Sequence, residues 1–288
     1  MQLDIFNDSR DIMLQNDLIA ALKQRGAQAG FQTLAKLAAE YPAHAMLAPA
    51  AKLLDTLAMP NTPFADHDAA MSVVHELEIG AMPAAHVVFG GKAANTWLAP
   101  MWRLLARRAA HLPYQAAQPK THAAWLYLQG EDGAAAEAAV TGIASWRRMP
   151  ATLSWMAQAH CMQRGLLPAW PLLLELAWID SIAFNDLTQR LNEPSLPTLL
   201  REFDTTMDND GTPERAWFPA WLLAALPELA TVFRDTQPGG NKPPERTARL
   251  VAELLTLEKQ GRHADLVAQR KRLRDAHAGL YGFYMASR

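Results

Sequence analysis

The stretch WLYLQGEDGAAAEAA, residues 125–139, places a glycine four positions after a leucine and follows it with an alanine-rich run. Gly130 ends a helix easily, because glycine adopts positive φ at little conformational cost. The alanines that follow have high helix propensity, and their small side chains allow one helix to approach another closely. The stretch therefore predicts a helix, a tight turn and a second helix.

The same pattern occurs twice more, in LKQRG at residues 22–26 and in LEKQG at residues 257–261. Each of these segments precedes a second alanine-containing run. The second helices of the first and central pairs stop near prolines, at Pro42 and Pro150. Proline interrupts a helix because it lacks a backbone N–H and clashes with the preceding turn. Three predicted helix pairs thus share one local pattern.

Apolar residues elsewhere recur every three or four positions between glycine and proline breaks, as Leu14, Leu18 and Leu22 do. This spacing forms one apolar face on a helix. The only strand-like patch is His86–Phe89, which we interpret as helical or irregular. Short connections between such helices favour antiparallel neighbours. We predict an all-α fold in which antiparallel helix pairs stack as an α-solenoid, with an irregular helical bundle as the alternative.

The segment from Trp125 through Gly130 to Pro150 resembles one tetratricopeptide repeat. It has a tryptophan early in the first helix, glycine at the turn, alanines in the second helix and proline after it. Residues 151–180 resemble a second, degraded unit. The resemblance implies a stack of helix pairs whose concave surface binds a protein partner.

The proline- and glycine-rich stretch TQPGGNKPP, residues 236–244, is the clearest predicted linker. We therefore expect a helical-repeat domain over residues 1–235. A C-terminal helical hairpin, residues 245–288, is expected to pack on the same array.

The composition is that of a globular chain: 288 residues, 50% of them apolar and 19% charged, with a formal net charge of −2. This balance disfavours nucleic acid as the partner. The single cysteine, Cys161, excludes an internal disulfide. The apolar stretch 166–182 contains Pro168 and Pro171 and is too short and polar to span a membrane. With no secretory signal pattern at Met1, we expect a cytoplasmic protein.

Motifs that suggest catalysis or metal binding fail on spacing. His75-Glu76 lacks the second histidine of a zinc motif, because position 79 is isoleucine. Asp208–Gly211 lacks the acidic residues that end a calcium loop and predicts a turn. Gly239–Lys242 lacks the spacing of a phosphate-binding loop. We assign no catalytic, metal-binding or cofactor-binding residue and expect no cofactor.

Candidate partner-binding residues come from tryptophans and from a basic cluster. All nine tryptophans lie between residues 97 and 221, and Trp217 and Trp221 share a helix face at a spacing of four. Tryptophan is a frequent anchor at protein interfaces. Residues 246–275 contain eight basic and four acidic side chains. From the densest part we select three residues and expect them to be exposed: Arg270, Lys271 and Arg274.

We therefore predict a non-catalytic scaffold or adaptor that binds a protein partner. Two alternatives stay open. The first is an enzyme, or an accessory subunit of one, whose site is assembled from distant helices. The second is a nucleic-acid-associated adaptor that uses the basic C-terminal helix, which the overall acidity disfavours. The sequence leaves the oligomeric state open.

Overall fold

The computed structural model describes residues 3–207 and 214–288, and its regular elements are helices. Helices make up 78% of the structure, and none of the described residues lies in a β-strand. The predicted all-α class is therefore confirmed, and the His86–Phe89 patch is helical. Contacts divide the chain into two compact units, residues 1–139 and 140–288.

The first unit consists of helices joined mostly by short turns, with a π-helical turn at Leu77–Ala81 and a 3₁₀ turn at Pro119–Thr121. Helix α8, Gly133–Thr141, crosses the division between the units. The other helices are α1 Leu3–Lys23, α2 Ala27–Glu40, α3 Leu47–Leu57, α4 His67–Glu76, α5 Met82–Phe89, α6 Gly91–Arg108 and α7 Ala123–Gln129.

Within this unit, α1 packs on α2, α2 on α3, α3 on α5, α5 on α6 and α6 on α7. The buried core is mostly leucine and alanine, as the apolar spacing predicts. The indole Nε1 of Trp97, on α6, donates a 2.8 Å hydrogen bond to the backbone oxygen of Leu22, at the end of α1. The guanidinium of Arg25 lies 5.2 Å from the Trp97 ring centre and donates to the Trp97 carbonyl. These contacts fix the end of α1 against α6.

The glycines of the three turns do not all act as expected. Gly261 has φ of 67°, as predicted, but in the other two turns the positive φ belongs to Arg25 and Glu131. Gly130 is required for a different reason. A Cβ atom at Gly130 would lie 2.6 Å from the Cγ of Arg103, so this glycine permits the end of α7 to approach α6.

The second unit has a 3₁₀ turn at Trp146–Arg148 and two more at Arg215–Trp217 and Pro227–Leu229. Its helices are α9 Pro150–Arg164, α10 Leu166–Ile179, α11 Ser181–Arg190, α12 Ser195–Met207, α13 Phe218–Ala225, α14 Ala230–Phe233, α15 Pro243–Gln260, α16 His263–Ala276 and α17 Ala278–Ala286.

Helix α10 is buried along nearly its whole length and packs on α9, α11 and α14. Helix α13 packs on α15 and α17, which follow it later in the chain. An aromatic cluster fills the space beside α13. Its ring centres lie 5.5–6.3 Å apart, and its members are Trp170, Phe184, Phe203, Phe218, Trp221 and Phe283.

The C-terminal region contains a third helix beyond the expected hairpin. Helix α16 ends at Ala276, and His277 then adopts an extended conformation. The Nδ1 atom of His277 accepts a 3.1 Å hydrogen bond from the backbone N–H of Leu280, which caps α17. Histidine is not among the residue types that usually cap a helix, so the sequence predicted a hairpin with no break at His277.

The expected linker is held in place by buried carboxylates. We call residues 236–242 the strap. Glu175, on α10, accepts a 2.6 Å hydrogen bond from the backbone N–H of Gln237. Glu245, on α15, accepts from the backbone N–H groups of Gly239 and Asn241 at 3.1 and 2.7 Å. The strap is thus fixed against both helices.

No single described helix has both the length and the apolar composition to cross a membrane. Two consecutive helical segments, Arg215–Ala225 and Pro227–Phe233, reach that length and composition only together, and they meet at 104°. The Asp208–Gly211 turn prediction lies outside the described residues.

Candidate partner-binding site

A cleft with a volume of about 470 Å³ opens on the surface of the second unit. It lies where the end of α10, the start of α11, the 3₁₀ turn before α13 and the start of α15 meet. We call it the Trp217 cleft. The side chains that shape it are Trp178, Ile182, Glu214, Trp217, Lys242 and Pro243.

Trp217 is held by an aromatic contact and is half-buried. Its ring meets the His277 ring nearly edge to face, with the centres 4.6 Å apart. Burial lowers the pKa of His277 below its usual value, so the imidazole is neutral at pH 7. The neutral His277 ring therefore adds no charge beside Trp217.

The cleft is also lined by Ile182, which is 74% exposed. Its position follows from the cap of α11. The carboxylate of Asp180 accepts hydrogen bonds from the backbone N–H groups of Ile182 and Ala183 at 3.1 and 2.9 Å. This is a regular N-cap, in which a side-chain oxygen satisfies free donors of the first turn. The capped turn holds the large apolar side chain of Ile182 in water.

The start of α15 supplies the third wall. Pro243 and Pro244 occupy the first helical positions, where a missing N–H costs no hydrogen bond. The side chain of Lys242 reaches across to the carbonyl of Ile179, at 3.5 Å. The last residue of the strap thus brings a lysine to the rim, next to the proline that begins α15.

The cleft rim is slightly acidic. Asp180 and Glu214 line it together with a single cation, Lys242. Glu214 is exposed, and none of the described residues forms an ion pair or hydrogen bond with its carboxylate. The geometry therefore suits an apolar side chain in the cleft with a positive charge beside it.

The base of the cleft is formed in part by Trp178, which is buried and whose Nε1 has no hydrogen-bond partner among the described residues. A Cβ atom at Gly239 would lie 2.3 Å from this nitrogen, so only glycine allows the strap to cross the indole here. The N–H groups of the glycine-rich strap bind Glu245, and this occupies donors that a phosphate-binding loop would offer its ligand.

The predicted site residues lie in different places. Trp217 lies in the cleft, whereas Trp221 is 1% exposed and belongs to the aromatic cluster. Arg270 is only 31% exposed, because its guanidinium pairs with Glu258 at 3.2 Å. Lys271 and Arg274 are exposed on α16, and neither lines the Trp217 cleft.

Cys161 is the one cysteine of the sequence and lies in the second unit. The thiol of Cys161 is buried, and burial together with the charge of Glu193 raises its pKa to about 12. Since the thiolate is the nucleophilic form, this thiol is inert at pH 7. Within residues 3–207 and 214–288, no group of three or more His, Cys, Asp or Glu side chains is arranged to hold a metal ion.

Two buried histidines in the first unit serve its folding. Thr121 donates its hydroxyl proton to the carbonyl of Gln118 at 2.7 Å and therefore accepts from the Nδ1 of His67, also at 2.7 Å. The Nδ1 of His122 accepts from the backbone N–H of Ala124 and caps α7. Burial and the nearby His67 lower the pKa of His122 to about 4.

No model of a known protein family matches the chain, and no curated protein and no solved structure is significantly similar to it. The class defined by the structure is that of an all-α protein with two helical units.

Proposed function

We propose that this protein binds a protein partner and that the Trp217 cleft receives an apolar side chain of that partner. The observation that carries the proposal is that half-buried Trp217 and the 74% exposed Ile182 both line an open cleft of about 470 Å³. In this proposal the protein is a cytoplasmic, non-catalytic adaptor.

The size and composition of the cleft support this proposal. Pockets that bind small ligands or side chains span roughly 300–1,000 Å³ and are mostly apolar. A partly exposed tryptophan beside such a pocket is the usual anchor of an interface, because it buries a large area when the partner arrives. Ile182 gives a further gain, since covering a large aliphatic side chain contributes about 1.5–3 kcal/mol.

We further propose that the helix pairs stack in the manner of tetratricopeptide repeats. In support, two of the three glycine-containing turns join helices that pack on each other, α1 with α2 and α15 with α16. The contacts of α3 with α5 and of α13 with α17 skip intervening helices. Contacts that skip a helix are also found in irregular helical bundles. An irregular bundle is therefore the alternative architecture.

A nucleic-acid adaptor is less well supported by the basic helix. Glu258 neutralises part of the cluster, since it pairs with Arg270 and also with Arg288, at 3.1 Å. Arg274 lies 3.9 Å from Asp275. Of the three predicted contact residues, Lys271 alone lacks an acidic neighbour within ion-pair distance among the described residues.

The chain offers a matched pair of variants to test the cleft. Ile182 and Val267 are both β-branched and are 74% and 71% exposed, but only Ile182 lines the cleft. The test introduces Ile182→Glu or Val267→Glu into the tagged full-length chain, expressed in its native cells. A photo-crosslinking amino acid at position 182 or 267 in otherwise wild-type chain identifies neighbours directly.

We expect crosslinking from position 182 to yield a defined protein adduct that position 267 does not yield. Ile182→Glu should abolish co-purification of that protein, and Val267→Glu should leave it intact. Equal capture by both variants, or no adduct specific to position 182, contradicts the proposal.

A further inference from the structure

A second groove, of about 310 Å³, lies between α15 and α16 in the same unit. We call it the arginine groove. Arg246 and Leu250 line it from α15, and Arg272 and Ala276 line it from α16. Each pair is spaced by four residues, so both pairs project from a single face of their helix. Pro243 and Thr247 complete the lining.

Neither arginine of this groove has a counter-charge within the described part of the chain. Among the described residues, the side chain of Arg246 forms neither an ion pair nor a hydrogen bond. Arg272 donates only to the neutral Oε1 of Gln269, at 3.2 Å. No acidic side chain from residues 3–207 or 214–288 lines the groove.

The acids nearest in sequence are engaged elsewhere. Glu245 binds the strap and pairs with Arg249, at 3.0 Å. Glu253 accepts from Gln269 at 2.9 Å. Asp275 faces Arg274. The positive charge of the groove is therefore not balanced by its surroundings.

Two further features favour an anion in this groove. Like charges that share a groove repel each other. Arg246 is also the fourth residue of α15, near the helix N-terminus, where the helix dipole favours anions and disfavours cations. A bound anion relieves both effects at once.

We propose that Arg246 and Arg272 form a binding site for a dianionic phosphate group. Each guanidinium presents a planar fork of N–H donors that matches two phosphate oxygens. A dianion neutralises both arginines, whereas a carboxylate leaves one charge unbalanced. The groove holds one phosphate group, which is supplied by a small phosphate monoester or by a phosphorylated side chain. This site is separate from the Trp217 cleft, with which it shares only Pro243.

The test titrates inorganic phosphate into the full-length protein at constant ionic strength, at a pH where phosphate is the dianion. The readout is the NMR signals of the arginine side-chain Nε–H groups, assigned with single variants. Acetate serves as the monoanion control. We expect saturable shifts of the Arg246 and Arg272 signals with phosphate and much weaker shifts with acetate.

The variant Arg246→Gln with Arg272→Gln should raise the Kd for phosphate at least tenfold, because it removes both charged donors. The matched control is Lys271→Gln with Arg274→Gln, which removes the same charge outside the groove and should change the Kd less than about twofold. If the first variant does not fold, lysine at both positions keeps the charge, loses the fork and should still weaken binding several-fold.

The proposal is wrong if wild-type protein shows no saturable shift, or if the control variant loses binding as strongly as the groove variant. Once phosphate binding is established, titrations with glycerol phosphate and with a phosphoserine peptide distinguish a small phosphate monoester from a phosphorylated side chain. The ligand that binds more tightly identifies the source.

Discussion

The carboxylate of Glu175 binds the guanidinium of Arg147 through two hydrogen bonds, of 2.8 and 2.5 Å. Glu175 is 1% exposed. The same guanidinium also donates to the carbonyl of Asp235, at 2.9 Å, and the Glu175 carboxylate accepts from the N–H of Gln237. One buried ion pair therefore fixes the N-terminal end of the strap to α10.

Removal of this carboxylate should strongly destabilise the second unit. Glu175→Ala leaves Arg147 without its partner and Gln237 without an acceptor, and we expect a loss of about 2–4 kcal/mol. Glu175→Gln retains an acceptor and should cost less. Urea unfolding measures the loss, and hydrogen exchange should show faster exchange at residues 235–242.

An exposed ion pair provides the control for this prediction. The Nη2 of Arg262 lies 2.5 Å from the Oδ2 of Asp265 on the surface, and the two side chains are 59% and 49% exposed. Asp265→Ala should cost less than about 1 kcal/mol. Similar losses for Glu175→Ala and Asp265→Ala contradict the structural role of the buried pair.

Alanine substitutions at the two predicted interface tryptophans should differ in how much they destabilise the protein. Trp221→Ala removes a buried ring from the aromatic cluster and should cost about 3–5 kcal/mol. Trp217→Ala should leave the fold intact and cost roughly 1–2 kcal/mol, because this ring is half-buried at the surface and is not enclosed in the core. Chemical denaturation of each variant decides this, and equal losses would refute the assignment of Trp217 to a surface site.

The stability of the first unit should depend on the protonation of His122. Its pKa is about 4 in the folded protein and near 6.5 when unfolded. Protonation therefore favours the unfolded chain, and the stabilisation is complete above pH 6.5 and is lost as the pH falls toward 4. Since one pH unit corresponds to ~1.4 kcal/mol, this group contributes on the order of 3 kcal/mol.

The variant His122→Asn isolates this contribution, since asparagine also caps helices but does not titrate. Hydrogen exchange at α7, measured at pH 7, 5.5 and 4, should show a smaller loss of protection in the variant than in wild type. The same pH dependence in both proteins excludes His122 as the responsible group.

Two glycines should respond in opposite directions to alanine. A Cβ atom at Gly30 would lie 2.4 Å from the Cδ2 of Leu54, which is fully buried and would have to shift within the packed core. Gly30→Ala should cost about 1–3 kcal/mol. Gly282, on α17, has open space around it, and Gly282→Ala should stabilise the protein by roughly 0.5–1 kcal/mol. Thermal unfolding of both variants checks the signs.

The helices were predictable because apolar spacing and proline breaks are local signals. The helix ends predicted at Gly26, Gly130 and Gly261 lie within three residues of the observed ends of α1, α7 and α15. Which residue takes the positive φ was not predictable, since Arg25 and Glu131 take it in place of glycine. That choice depends on tertiary contacts such as that of Arg25 with Trp97.

The site was predictable only in part. Trp217 was selected from its residue type, but its spacing from Trp221 could not show which ring is buried. Ile182 and Glu214 are distant in sequence from Lys242 and Pro243, and the cleft exists only because α10, α11 and α15 meet. The capping residue Asp180 just before Ile182 was the available local signal, since it predicts a helix start with a large apolar side chain in its first turn.

The arginine groove, too, could be predicted from the sequence only in part. Arg272 belongs to the basic cluster that was selected, but its neighbours in sequence, Lys271 and Arg274, point elsewhere. Arg246 lies 26 positions earlier and joins Arg272 only because α15 packs on α16.

The strap also determines where the protein chain can be truncated. Its composition suggests a natural place to separate a C-terminal fragment, yet Arg147 and Arg148 both donate to carbonyls within residues 235–238, and Glu245 holds the residues that follow. A fragment ending at residue 235 would deprive the buried Glu175 of the Gln237 N–H and would lose the α15 surface that packs on α13. Shortened versions intended for crystallisation or interaction screens should therefore retain residues 140–288 together.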